Sequence, residues 1–208
     1  MGKLAAIHPG LERRLKAELT GDVRFDAFTR GRYATDASHY QITPVGVVAP
    51  RTIEEAERAI GISRAEGVTV LARGGGTSQC GQTVGPSLVL DCSKHLNRLL
   101  DLDVARQRCT VEPGIVLDDL NRQLKAHGLW FPVDISTASR ATIGGMAGNN
   151  SCGGRSLRYG TMRDNVLAID AVLADGRRAH FGPIGGNINE VPSTSMASID
   201  RTLSRMMP

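Results

Sequence analysis

The sequence predicts an α+β fold, and two observations carry that prediction. Amphipathic helical stretches alternate along the 208 residues with short apolar strands, and two pairs of strands are joined by the short polar links that are typical of β-hairpins. Hairpins require antiparallel pairing, whereas a doubly wound sheet is parallel and places a helix between successive strands. A chain of this length suits one large domain or two small subdomains.

Two helices are predicted in the first half of the chain. Apolar residues at i, i+4 and i+8 indicate a helix over 9–19, with Gly21 as its stop. Thr52 and Glu55 form a capping box at the start of a second helix, which Gly67 closes. The face of this second helix that we expect to be buried consists of Ile53, Ala56, Ala59, Ile60 and Ser63.

Three strands are predicted in the same half, from short apolar runs bounded by turn residues. They lie at 45–49, 68–72 and 87–92, and the second of them is expected to be buried. The stretch 22–45 has no clear period and is expected to be irregular. A glycine-rich loop, residues 73–87, connects the second strand to the third.

The second half contains both hairpins and a long segment with few strand signals. Such a segment inside a compact domain is usually functional. The elements are, in order, a hairpin of strands at 99–103 and 108–112, an amphipathic helix over 116–127 closed by Gly128, the long Gly/Asn/Ser-rich segment over 132–165, a second hairpin at 166–174 and 178–181 that turns at Asp175-Gly176, and a short helix near 196–203.

Composition narrows the class of protein. Aromatic residues make up 4% of the chain, too few for the stacking platforms of single-stranded nucleic-acid binders, and we expect no nucleic-acid partner. The net charge of +4 is a small excess that suits an anionic small molecule. No apolar run approaches the length of a transmembrane helix, and the N-terminus lacks the apolar centre of a signal peptide. We expect a cytoplasmic protein, with any membrane contact limited to peripheral binding at the inner face.

The cysteines and histidines show no metal-ligand spacing. There is no C-x-x-C pair, and without an export signal we expect reduced thiols and no metal site. The histidines have no partner at a recognisable spacing, so packing or surface roles are expected for them. These residues are Cys80, Cys92, Cys109, Cys152, His8, His39, His95, His127 and His180.

The first motif with chemical content is the triple glycine 74–76, directly after a predicted strand. Without Cβ atoms, its backbone N–H groups can converge on an anion, as a nest does around phosphate. Thr77 and Ser78 add hydroxyl donors. Arg73 either adds a charge to the site or braces the loop, and a plain flexible turn is the alternative for the whole motif.

Two common phosphate-binding loops are excluded by the residues present. A Walker loop needs Gly-Lys followed by Ser or Thr, which occurs nowhere in the chain. A Rossmann loop needs a third glycine where this chain has Gln79, and it also needs a crossover helix that is missing here. Without that helix, Asp91 is expected to be a strand-end residue rather than a ribose ligand.

The second motif runs from Thr142 to Gly154 and continues to a predicted strand that starts at Val166. Glycine pairs flank an Asn-Asn-Ser stretch, residues 149–151, that can hydrogen-bond a polar heterocycle. Glycine and other small residues let the backbone approach a flat ring closely.

Together these segments resemble the FAD-binding domain of the vanillyl-alcohol oxidase and p-cresol methylhydroxylase (PCMH) type. The resemblance covers Tyr33 to Gly182. Within this type, the sequence is most similar to the FAD-linked 2-hydroxyacid dehydrogenases, which include D-lactate dehydrogenases and the glycolate oxidase flavin subunit. The sequence Gly-Asn-Asn-Ser-Cys-Gly at residues 148–153 is similar to that of members fused to an iron–sulfur domain. The motifs that carry it are Arg73 to Ser78, Val111-Glu112-Pro113-Gly114, Thr142 to Gly145, Leu157 to Gly160 and Val172 to Gly176.

The resemblance implies a PCMH-type fold of two α+β subdomains with FAD between them. It divides the chain into a helix and lead-in over 1–32, the FAD-binding domain over 33–182, and an incomplete C-terminal segment over 183–208. The flavin is expected to be non-covalent, because Thr77 stands where covalent members carry His. The implied cofactor-binding residues are Arg73, Gly74, Gly75, Gly76, Thr77, Ser78, Gly81, Pro132, Asp134, Ser139, Gly144, Gly145, Asn150, Ser151, Gly153, Tyr159, Gly160 and Val166.

The activity implied by the resemblance is oxidation of a 2-hydroxy acid by a flavin, with electrons passing to an acceptor other than oxygen. Asp134 and Tyr159 are candidates for the base, and neither is assigned. Cys152 is either a reactive thiol or a small tolerated side chain. A substrate domain, or a partner subunit, and an iron–sulfur cluster would lie outside this chain. A module without its own activity, a sugar-lactone oxidase, a UDP-linked reductase and a non-flavin nucleotide-binding protein are the alternatives.

Overall fold

The computed structural model describes residues 8–182, with helices and strands mixed as the α+β prediction requires. This part of the chain divides between Asn165 and Val166 into two compact units. The helix predicted near 196–203 lies outside the described residues.

A four-stranded sheet forms the centre of the first unit. It consists of β1 (Asp22–Arg24), β2 (Gly46–Ala49), β3 (Val70–Arg73) and β4 (Leu88–Asp91), in the order β1-β2-β4-β3. β1 pairs with β2 antiparallel, whereas β4 lies parallel to both β2 and β3. The strand predicted to be buried, β3, is an edge strand and is half-exposed, since β4 covers it on one side alone.

Three helices accompany this sheet: α1 (Pro9–Glu18), α2 (Ala27–Arg32) and α3 (Ile53–Ala65). The core combines leucines of α1, small residues of α3 and the apolar residues of β2 and β4. The prediction of irregular structure over 22–45 was wrong, because β1 and α2 both lie there. Three residues of β1 are too few for a periodic signal, and the strand is fixed by pairing with β2 instead.

The start of α3 follows half of the predicted capping box. The Thr52 hydroxyl accepts a hydrogen bond from the Glu55 N–H at 3.2 Å. The Glu55 carboxylate binds the N–H groups of Arg51 and Thr20 and does not return to Thr52. The buried face is also corrected: Ile53 is 36% exposed, whereas Ile62 is buried together with Ala56, Ala59 and Ser63.

An ion-pair cluster at β1 leads to a prediction about acid stability. Asp22 accepts hydrogen bonds from Lys94 at 2.6 Å and from His95 at 3.1 Å, which lower the pKa of Asp22 from 3.8 to about 2. The pair therefore stabilises the fold above pH 3.8, and this contribution is lost as the pH falls through about 2. Because the partners are part-exposed, we expect Asp22→Asn to lower the free energy of unfolding by about 1 kcal/mol at neutral pH. Urea unfolding at neutral pH and near pH 2 checks this, and an equal difference at both would contradict it.

The rest of the first unit contains the first predicted hairpin and helix, followed by short helices. The hairpin of β5 (Leu99–Asp103) and β6 (Arg108–Val111) and the helix α4 (Leu117–Lys125) confirm the sequence prediction. The long segment over 132–165 has no named strand, as predicted, but it does contain helices. These are α5 (Ile143–Gly148), α6 (Ser156–Tyr159) and α7 (Met162–Asn165).

The second unit contains the second predicted hairpin. Its strands β7 (Ile169–Val172) and β8 (Arg178–Phe181) pair antiparallel. Gly176 has φ +83°, the left-handed conformation that the Asp-Gly turn signal predicts.

Candidate cofactor-binding site

The glycine loop lies directly on the segment 140–142, which precedes α5. A Cβ atom on Gly74 would overlap with the Thr142 hydroxyl, and one on Gly75 would overlap with the Arg140 carbonyl oxygen. The loop can approach this segment so closely because Gly74 and Gly75 both lack a side chain. The structure therefore brings two of the predicted motifs together, and it gives these glycines a packing role that sequence reasoning did not foresee.

Gly76 and Gly81 shape the loop by their conformation. Their φ angles are +65° and +75°, in the left-handed region that L side chains rarely adopt. The carbonyl of Gly76 is held by the N–H of Ala37 at 3.1 Å. The loop thus reverses direction at a position where its backbone is also tied to an earlier part of the chain.

The backbone N–H groups of the glycine loop are its main chemical feature. Those of residues 74–78 donate to no acceptor anywhere in residues 8–182. These five consecutive donors lie at least partly exposed beside a close-packed backbone, so they are free to bind an anion, as the N–H groups of a nest do. The residues present fit a diphosphate group.

The Arg73 guanidinium binds three backbone carbonyls of the protein. It donates to Thr35 at 2.8 Å and to Tyr33 and Thr83 at 3.2 Å each, and it lies 5.1 Å from the centre of the Tyr33 ring. Of the two roles that the sequence left open, this geometry favours bracing of the loop. Asp91, at the end of β4, is 5% exposed and accepts hydrogen bonds from Tyr33 and Ser93, which agrees with its prediction as a strand-end residue.

The start of α5 is fixed by Pro113 and by its own cap. The N–H of Gly144 donates to the Pro113 carbonyl at 2.8 Å, and a Cβ on Gly144 would lie 2.6 Å from the Pro113 Cβ. The Thr142 hydroxyl accepts from the Gly145 N–H at 3.4 Å. Gly144 is therefore required for close approach to Pro113, and Gly145 is exposed at the surface of the same turn.

The residue before Pro113, Glu112, has a buried carboxylate that is paired with Arg98. This side chain is 3% exposed and accepts from the Arg98 N–H at 2.8 Å and from the Arg98 guanidinium at 2.8 and 3.2 Å. Hydrogen bonding to Arg98 lowers the pKa of Glu112, so the carboxylate stays ionised. Glu112 was not among the predicted site residues, although its place in the Glu-Pro-Gly motif was the available signal.

Hydrogen bonds of two side-chain amides stabilise the segment over 150–165. Asn150, at φ +45°, accepts from the Thr161 hydroxyl and the Arg163 N–H. Asn165 donates to the carbonyls of Tyr159 and Thr161 at 2.8 Å each. Asn165 was missed by sequence reasoning, because no motif marks it, although both of its partners lie within one or two turns before it in the chain.

Asp134 fixes the loop that follows Cys152. One of its carboxylate oxygens accepts from the Arg155 N–H at 3.0 Å, and its carbonyl lies where a Cβ on Gly153 would be. The Tyr159 ring meets the Trp130 ring edge-on, with centroids 5.2 Å apart.

The remaining predicted residues lie in the segments around these contacts. Ser139 is exposed and Pro132 is half-buried. The hydroxyl of Ser151 accepts from Asn149 at 3.3 Å, and its carbonyl holds the N–H of Met162. Gly160 takes φ +81°, and Val166 opens the second unit.

A shallow groove of about 440 Å³ lies at the C-terminal end of α4. The Arg155 guanidinium lies 5.2 Å from the centre of the Trp130 ring at its edge. Sequence reasoning did not identify this groove. It is lined by Asn121, Lys125, Gly128, Leu129, Trp130 and Arg155.

None of the four cysteines, all within residues 8–182, forms a disulfide in the structure. Burial, with a smaller contribution from Asp91, raises the pKa of Cys92 to about 11, whereas Cys152 is exposed. Within residues 8–182, no group of three or more His, Cys, Asp or Glu side chains is arranged to hold a metal ion. No helix in that range has the length and apolar character needed to cross a membrane.

The chain matches a known protein family over most of its length. The profile of a family described as "FAD binding domain" matches residues 44–182, well over half of the chain. The chain belongs to this family. The predictions of an FAD-binding domain and of FAD as its cofactor are confirmed at the level of that family.

Curated relatives of this FAD-binding domain protein are oxidoreductases by name. A D-2-hydroxyglutarate dehydrogenase of Pseudomonas putida is 38% identical over 84% of the chain, and a glycolate oxidase subunit GlcD of Bacillus subtilis is 38% identical over 76%. The matches cover 18% and 35% of those two proteins, so the chain spans a minor part of their length.

Solved structures confirm the PCMH-type fold. An alkyldihydroxyacetonephosphate synthase superposes with a TM-score of 0.78 at 23% identity, over 91% of this chain and 38% of that one. A Physcomitrella patens BBE-like 1 variant superposes with a TM-score of 0.71 at 19% identity, over 82% of this chain and 37% of that one. At these identities the likeness concerns the fold alone.

Proposed function

We propose that this chain is the FAD-binding portion of a flavin-dependent oxidoreductase that oxidises a 2-hydroxy acid such as D-lactate, glycolate or D-2-hydroxyglutarate. The observation that carries the proposal is the row of five open N–H donors in the glycine loop, packed on the segment before α5. The names of the curated relatives support the substrate class.

The residues of the chain divide between holding the diphosphate and shaping the rest of the pocket. The amides of residues 74–78 bind the diphosphate oxygens, and Gly144 and Gly145 provide a surface without side chains beside them. The hydrogen bonds of Asp134 and of the Asn150 side chain hold the following loops in place near the flavin end of the cofactor. When bound, FAD supplies the acceptor of the two electrons removed from the substrate.

A flavin-binding module without its own turnover is the second candidate. It is favoured by the share of the curated relatives that this chain covers, which is 18% and 35% of their length. The base is then expected from a substrate domain or partner subunit outside these residues. We also propose a cytoplasmic location for the protein.

The test is to express the 208-residue chain and the full product of its native locus side by side. Each is titrated with FAD and assayed with the three hydroxy acids and an artificial dye as electron acceptor. We expect both to bind FAD, with turnover in the product that carries a substrate domain. Absence of FAD binding would contradict the proposal. Equal turnover by the short chain would mean that the base lies within it, and Asp134 and Tyr159 would then be tested first.

We predict that the bound flavin is non-covalent. Thr77 occupies the position after the glycines, and a hydroxyl is not the imidazole used for attachment at that place in covalent members. Acid precipitation of the holoprotein is expected to leave the yellow colour in the supernatant. Flavin fluorescence that stays with the protein band on a denaturing gel would contradict this prediction.

A further inference from the structure

A short segment ahead of the family match contacts the glycine loop at three places. It consists of residues 33–37, called the clamp segment here, whereas the matched region starts at residue 44. We propose that the clamp segment is a positioning part of the FAD site, which fixes the glycine loop before the cofactor arrives. The proposal rests on the proposed function, because the loop it positions is the diphosphate cradle.

The contact at the start of the loop runs through Arg73. Its guanidinium donates to the Tyr33 and Thr35 carbonyls of the clamp segment and also to the carbonyl of Thr83. One rigid planar group therefore joins the start of the loop, its far end and the clamp segment. Asp36 adds a second tie to the far end, since its carboxylate accepts from the Thr83 hydroxyl at 3.0 Å and from the Thr83 N–H at 3.4 Å.

The middle contact sets the direction of a binding donor. The Ala37 N–H donates to the Gly76 carbonyl at 3.1 Å. The peptide bond after Gly76 is trans, so its C=O and the N–H of Thr77 point to opposite sides. Holding the Gly76 carbonyl on the clamp segment therefore turns the Thr77 N–H away from that segment, and this N–H has no acceptor within the described residues.

The clamp segment is itself anchored on the sheet by Tyr33. Its hydroxyl donates to the Asp91 carboxylate, which is 5% exposed at the end of β4. Burial and the Asp91 carboxylate raise the pKa of Tyr33, so this hydroxyl remains a donor at physiological pH. Tyr33 thus ties the clamp segment, and through it the glycine loop, to the sheet. A loop that is already fixed in its bound conformation loses less entropy on binding.

The test compares FAD affinity in two matched substitutions of the full chain. Tyr33→Phe removes the hydroxyl that reaches Asp91, and we expect FAD to bind at least fivefold more weakly. Tyr40→Phe is the control, because that tyrosine is 47% exposed and its hydroxyl has no hydrogen bond within the described residues. We expect its affinity to be unchanged. Asp36→Ala is expected to weaken FAD binding to a similar extent, and Asp36→Asn, which retains an acceptor for Thr83, is expected to restore most of the affinity.

Two further readouts separate positioning from general stability. A purely structural role would lower the free energy of unfolding of Tyr33→Phe and leave the dissociation constant of the folded protein unchanged, and that result would overturn the inference. Hydrogen exchange without FAD is expected to be faster at the Ala37 amide in Tyr33→Phe than in the wild type. If the wild type binds FAD and both Tyr33→Phe and Asp36→Ala bind it within twofold of the wild type, the inference fails alone. If the wild type does not bind FAD, both the inference and the proposed function fail.

Discussion

Replacing Gly75 with valine is expected to abolish flavin retention. A side chain at this position collides with the Arg140 carbonyl oxygen, and backbone cannot give way as a flexible side chain can. The loop must then lift from the segment 140–142, which changes the positions of its open N–H donors. We expect the affinity for FAD to fall on the order of a hundredfold, or about 3 kcal/mol. Flavin content after gel filtration and a titration of the apoprotein measure this.

The matched control for this prediction is Gly61→Val. Gly61 lies in α3, and a Cβ there would meet no atom within 4 Å. The same substitution is therefore expected to leave flavin binding unchanged, with a small effect on stability from the change in helix propensity. Unchanged flavin stoichiometry in Gly75→Val would show that the glycine loop does not hold the cofactor. A loss in both variants would show that the effect is not specific to the loop.

Arg98→Ala is expected to destabilise the fold and to weaken FAD binding together. It leaves Glu112, which is 3% exposed, without the guanidinium that neutralises its charge. We expect the free energy of unfolding to fall at neutral pH, because the buried Glu112 carboxylate is left without its cationic partner. Because Glu112 lies next to Pro113, whose carbonyl holds the N–H of Gly144, the start of α5 becomes less ordered and FAD affinity falls several-fold.

The pH dependence of this variant identifies the cause. Arg98 lowers the pKa of Glu112 below its ordinary 4.5, so the pair stabilises the fold above that pH and the contribution is lost as the pH falls below it. The stability difference between wild type and Arg98→Ala should therefore shrink in acid. Arg106→Ala is the control, because that arginine pairs with Asp103 at an exposed site of the same hairpin. A difference that stays constant from neutral pH to acid would contradict the role given to the Glu112 charge.

The features predicted correctly from the sequence depend on local signals. The leucine spacing of α1, the capping residue of α3 and the Asp-Gly turn of the second hairpin act within a few residues of one another. The parallel pairs of β4 depend on contacts between distant parts of the chain, and no local pattern reports them. The same reason explains β1, whose three residues gain their structure from β2.

The candidate site shows the same division. The triple glycine and the Asn-Asn-Ser stretch could be found from the sequence, because each motif is contiguous. The need for glycine at Gly74 and Gly75 was expected from close approach of the backbone to phosphate, whereas the structure shows contact with the segment 140–142. The occupation of Arg73 by three carbonyls also depends on tertiary structure, since two of them belong to a segment nearly 40 residues earlier.

The central claim is that the amides of residues 74–78 bind the diphosphate of FAD, and amide NMR on the isotope-labelled chain tests it most directly. Titration with FAD and with ADP, which both carry a diphosphate, is expected to shift the backbone N–H resonances of Gly74 to Ser78. Riboflavin, which has the flavin ring and no phosphate, is expected to leave them in place. Shifts in these five resonances with riboflavin but not with ADP, or no shift with FAD, would contradict the claim.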